Sequence, residues 1–175
     1  MYQQLYIFDE KLTFGNMKRV LFVLAFIGFT FTSVSAQNVY SEIKRLSEAV
    51  ANDQTKDIET RKIATFKVDE LNYMAAKSAE LMPDSSMRML DYQAYAMYEY
   101  VNLFLDKLTK AEKKTDKDEV KEIFKVASIN NSRFNDMDKE LVLAYYSNPN
   151  YITQFSLDTD WVKALRDVKE SLGIE

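Results

Sequence analysis

Residues 87–111 read MRMLDYQAYAMYEYVNLFLDKLTKA. Met87, Leu90, Ala94, Met97, Tyr98, Val101, Phe104, Leu105 and Leu108 recur at three- and four-residue intervals, the period of one face of an α-helix. Neither proline nor glycine interrupts the run. It predicts one helix from Met87 to Ala111, about 40 Å long at 1.5 Å per residue.

Upstream, Pro83-Asp84-Ser85-Ser86 reads as a short turn, and a second helix is expected from Thr55–Asp57 to just before Pro83. Its inward stripe is read as Ala64, Val68, Leu71, Ala75, Ala79 and Met82, flanked by Ile63, Met74 and Leu81. The short turn predicts that the second and third helices pack as a long antiparallel hairpin. A first helix is expected from Val39 to Val50, with Tyr40, Ile43, Leu46 and Val50 on one face.

Downstream, Lys110 to Lys117 is charged and solvated. Asp116, with Glu119 three residues on, is read as the cap of a fourth helix whose face is Val120, Ile123, Phe124 and Ala127. Asn130-Asn131-Ser132 ends it. A fifth helix is expected from Asn135–Asp136, carrying Met137, Leu141, Ala144 and Tyr145, until Asn148-Pro149. The last is expected to begin at Asp158–Thr159, to bury Trp161, Leu165, Val168 and Leu172, and to end at Gly173. The sum is an all-α, single-domain bundle of about six helices.

The N-terminal region carries an address. Lys18-Arg19, the uncharged run Val20–Phe31 and the small-residue end Thr32–Ala36 match a cleavable secretory signal peptide over residues 17–36. A spanning helix, the rival reading, needs about 20 predominantly apolar residues. Residues 1–16 contain Asp9 and Glu10, which suit no signal n-region, so Met17 is read as the start and 1–16 as an upstream extension. The chain has no cysteine to receive a lipid. A periplasmic or secreted domain over 37–175, without a membrane anchor after cleavage, is the expectation.

Of the chain's 23 basic and 27 acidic residues, Lys11, Lys18, Arg19, Asp9 and Glu10 lie before Gln37, which leaves 20 against 25 and a net charge of −5. Such a balance disfavours nucleic acid. There is no histidine and no cysteine, which removes Ser/His/Asp triads, thiolate nucleophiles and zinc sites of the usual nitrogen and sulfur type. After Gln37 the sole glycine is Gly173, so a glycine-rich phosphate loop has nothing to be built from. No cofactor and no metal are expected. Asp136, Asp138 and Glu140 alternate like calcium ligands, but the rest of the twelve-residue loop is missing.

Beside the core stripe of the third helix runs a second line, Tyr92, Tyr95, Glu99, Asn102 and Asp106, at spacing i, i+3, i+7, i+10, i+14. Its phenols, amide and carboxylates suit a protein partner or a small polar ligand. The plainer alternative is that the rings flank the core and their hydroxyls reach water. Asn130 to Asp138 is a second polar cluster, explained by helix caps except for Arg133, which joins the candidate binding residues. The connection from Ser147 to Asp160 holds Tyr151, Ile152, Phe155 and Leu157, which favours packing on the core.

Two functions follow. The first is a non-enzymatic binding or interaction module of the cell envelope or its surroundings, using the Tyr92–Asp106 ridge. The second is a carboxylate-dependent hydrolase of glycan or cell wall, with Glu99 as acid and a second carboxylate opposite it.

The segments Ala64-Thr65-Phe66-Lys67, Gln93-Ala94-Tyr95-Ala96-Met97 and Ile129 to Asp136, with the Ala36-Gln37 junction, resemble exported, uncharacterised all-helical proteins of Bacteroidetes. The resemblance covers most of residues 37–175. It implies export and supplies no catalytic residue.

Overall fold

The computed structural model describes residues 38–84, 87–135 and 153–174. They form α1 (Val39–Asn52), α2 (Ile58–Leu81), α3 (Met87–Lys110), α4 (Lys114–Asn130) and α5 (Trp161–Ser171). The fold is all-helical. The leader expected at Met17–Ala36 and the helix expected between Asp136 and Asn148 lie outside the described residues, as do Tyr151 and Ile152. No helix among the described residues is long and apolar enough to cross a membrane.

The periodic face of α3 is the spine of the core. Leu90, Ala94, Met97, Val101, Phe104, Leu105 and Leu108 are all buried, and so are Gln93, Ala96 and Tyr100 beside them. Around Tyr100 stands a cluster of rings from every side: Phe66 of α2, Phe104 of α3, Phe124 of α4, Phe155 of the connection into α5, and Trp161. Tyr100 meets Phe124, Phe155 and Trp161 edge-on at centroid distances of 5.1, 5.3 and 5.2 Å. Edge-to-face pairs add about 0.5–1.5 kcal/mol each beyond the area they bury. The Tyr100 hydroxyl donates to the Phe124 carbonyl, so its burial leaves no polar atom unpaired.

α1 lies against both α2 and α3. The Tyr40 hydroxyl donates to the Leu71 carbonyl at 3.1 Å and Arg61 Nε to the Ala51 carbonyl at 3.2 Å, so the two helices run antiparallel. The start of α1 is capped twice. Asn38 accepts from the Ser41 N–H, and Asp91 of α3 accepts from the Tyr40 N–H at 2.8 Å, which satisfies a first-turn amide that has no partner within its own helix.

α2 departs from the stripe expected of it. Ile63, Ala64, Leu71 and Met74 are buried as read, but Val68 and Ala75 are only partly covered, and Ala79 and Leu81 are exposed. The inward face instead holds Thr60, Phe66, Lys67, Glu70, Tyr73 and Ser78. A face chosen by hydrophobicity is rotated away from polar side chains, and here Lys67 and Glu70 point inward to partners on distant elements, Asn102 and Trp161, while Thr60 bonds the Asp57 cap.

α4 also begins earlier than expected. Lys113 is its N-cap residue, without a side-chain cap, and Asp116 sits in the first turn, where its charge suits the helix dipole. α5 packs against α3 and α4. Its cap is Asp160, which accepts from the Lys163 N–H, and Gly173 at φ +63 terminates it in the left-handed conformation that glycine adopts without strain.

Candidate functional site

α5 is amphipathic. Trp161, Ala164, Leu165 and Val168 form its buried stripe, yet Val162 remains 47% exposed on the other side. On α3, Tyr92, Tyr95, Ala96 and Glu99 share the flank turned toward α5. Tyr92 is 61% exposed and Tyr95 49%, while Ala96 between them is buried. A small residue flanked by two rings makes a trough, and Val162, Leu165 and Ile174 supply its opposite wall. The open groove so formed has a volume of about 410 Å³, within the range of small-ligand clefts.

Charges line its rim and are paired within the chain. Glu99 accepts from Lys169 Nζ at 2.6 Å, tying α3 to α5. Arg166 lies 3.3 Å from Asp167 and 3.9 Å from Glu170. The rings of Tyr92 and Tyr95 and the Val162 side chain are what remain exposed.

Of the residues picked from the sequence, Tyr92 and Tyr95 line this groove and Glu99 reaches it through Lys169. The other three lie elsewhere. Asn102 turns toward α2, where its Oδ1 accepts from Lys67 at 3.4 Å. Asp106 pairs with Lys110 at 2.8 Å in solvent. Arg133 folds inward, 8% exposed on its side chain, with Asp160 3.8 Å away and the Phe134 ring beneath it.

Arg133 belongs to a second, interior polar centre at the start of α5. Asp158 accepts from the Ser132 hydroxyl and from the N–H groups of Arg133 and Phe134. Gln93 of α3 donates to Asp160 at 3.0 Å and accepts from the Trp161 N–H at 2.7 Å. Below them the Trp161 indole donates to Glu70 Oε1 at 2.7 Å. Burial pushes the Glu70 carboxyl well above the ordinary range, the Trp161 bond works the other way, and the nearby Asp158 charge raises it further. Glu70 is 1% exposed, so this acid faces protein and no solvent-filled cleft.

Among the described residues no group of three or more acidic side chains is placed to hold a metal ion. Sequence reasoning missed Val162, Leu165 and Ile174 as groove walls, and Lys67 and Glu70 as interior ionisable groups. Val162 alone carried a signal: it is an apolar residue on the outer side of a strongly amphipathic helix. Compared with models of protein families, with characterised proteins and with solved structures, the chain finds no match, so the groove is read from its own chemistry.

Proposed function

We propose that this chain is an exported, non-catalytic binding module that uses the groove between α3 and α5. The observation that carries the reading is the pair Tyr92 and Tyr95, 61% and 49% exposed beside an apolar floor. Aromatic residues are enriched at the centres of interfaces because they bury much area and lose little side-chain freedom. Since the rim charges are already paired, affinity comes from covering the rings and floor. That favours an apolar segment of an envelope or extracellular protein over a small polar ligand.

In this reading the leader is cut between Ala36 and Gln37 and the product works in the periplasm or outside the cell, in company with the exported helical proteins of Bacteroidetes that it resembles. A helix between Asp136 and Asn148 brings the bundle to six, and α2 and α3 form its antiparallel hairpin.

The hydrolase reading asks for a second carboxylate acting with Glu99. The group in contact with Glu99 is the Lys169 ammonium, which counts against it.

A photo-crosslinking amino acid at position 95, in the chain produced in its native envelope, tests the proposal. One reproducible adduct is expected, lost when Val162→Lys fills the groove with charge. Absence of any specific adduct, together with loss of glycan cleavage in Glu99→Gln, would reverse the assignment. Intact mass of the exported product is expected to begin at Gln37.

A further inference from the structure

The interior centre at the start of α5 holds an acid with too few partners to be ionised. Glu70 Oε1 accepts one neutral bond, from the Trp161 indole, and Oε2 has no hydrogen-bond partner among the described residues. Glu70 makes no ion pair among the described residues. A carboxylate buried to this degree costs several kcal/mol unless a cation or several donors face it.

Among the described residues, the groups around this centre are these. From the connection into α5 come Asp158 and Asp160, both carboxylates. From the turn after α4 comes Arg133, whose charge is directed to Asp160. α3 presents uncharged Gln93 and the Tyr100 phenol, which burial keeps protonated. α4 contributes Phe124 and Ser128, and α1 the Tyr40 hydroxyl on the Leu71 carbonyl. On α2 itself, Lys67 faces Asn102 and Tyr98. The negative charge nearest in effect is Asp158, which also fixes the Arg133–Phe134 backbone.

We propose that Glu70 and Asp158 form a proton-operated latch for α5: Glu70 carries a proton while Trp161 is docked, and loss of that proton to solvent base loosens the start of the helix. The inference is independent of the groove. Protonated, Glu70 takes the Trp161 N–H without adding charge beside Asp158. Ionised, it sets a second buried carboxylate in that space, and the docked geometry is favourable only below the transition.

Trp161 is the sole tryptophan, so its fluorescence reports the latch directly. In the full chain, titration is expected to give a one-proton change in Trp161 emission above the ordinary carboxylate range. Glu70→Gln, which keeps an acceptor for the indole, is expected to abolish it. Asp158→Asn removes the neighbouring charge and is expected to move the change to lower pH. Infrared spectra of the unmodified chain, taken above the ordinary carboxylate range and on the acid side of that change, are expected to contain a protonated carboxyl band, which needs no variant to fold. A fluorescence change in the ordinary carboxylate range, near pH 4, an unaltered titration in either variant, or absence of the infrared band overturns the latch.

Discussion

Lys67 of α2 sets its ammonium 4.5 Å from the ring centroid of Tyr98 and 3.4 Å from the Asn102 amide oxygen, with no carboxylate paired to it among the described residues. The residue is 4% exposed. A ring face and one amide repay only part of what water gave the charge.

Burial accordingly pushes the Lys67 amine from 10.5 down to about 8. A base whose folded value is depressed holds fewer protons folded than unfolded between those limits, so its contribution makes stability rise with pH from about 8 to 10.5. Lys67→Met keeps the volume and removes the charge. It is expected to stabilise the chain by about 1–3 kcal/mol at pH 7 and to remove this rise. Urea unfolding at pH 7 and pH 10 checks both; a destabilised variant with the rise intact would refute the assignment.

The same lysine marks the limit of what the sequence discloses. α3 was legible because Met97, Val101, Phe104 and Leu108 repeat without a polar intruder, and the periodicity therefore points at the core. On α2 the inward turns carry Thr60, Lys67, Glu70 and Ser78. Lys67 and Glu70 find their partners, Asn102 and Trp161, 35 and 91 residues away. No local pattern encodes such a contact, and hydrophobicity places Ala79 inside where the chain leaves it in water. The candidate site divides in the same way. Tyr92 and Tyr95 could be placed together by helical spacing, whereas the wall they face on α5, and the Lys169 partner of Glu99, come from chain 70 residues further on.

Phe155 gives the second prediction. It lies outside any helix, yet it is fully buried and touches Phe66, Tyr100, Phe104 and Trp161. Phe155→Ala is expected to cost about 3–5 kcal/mol, as a large core truncation does, against less than about 0.5 kcal/mol for an exposed loop residue. Thermal or urea denaturation distinguishes these outcomes, and a small loss would remove Phe155 from the core.

Asp160 supplies an acid-side prediction. Burial opposes its charge, but bonds from Gln93 and the Lys163 N–H, with Arg133 and Lys163 nearby, hold it below the usual 3.8. A depressed acid contributes stability that is fully present above 3.8 and is lost as pH falls through its folded value. Asp160→Ala removes the cap of α5, is expected to cost about 1–2 kcal/mol at pH 7, and should flatten the acid limb of a stability profile. An acid limb of unchanged steepness would show that other carboxylates dominate it.

The groove tyrosines provide the complementary case, in which stability should not change. Tyr92 and Tyr95 expose most of their rings or nearly half of them, and the ion pair that fastens α5 to α3 at this point is Glu99–Lys169, not a phenol. Truncating both rings, Tyr92→Ala with Tyr95→Ala, is expected to shift unfolding by no more than about 0.5 kcal/mol per site and to abolish the adduct formed by a crosslinker at Val162. A large loss of stability would identify the rings as packing groups. Retained stability with an unchanged adduct would move the binding surface off this flank of α3. Only loss of the adduct from a chain that still unfolds normally fits rings held out for a partner.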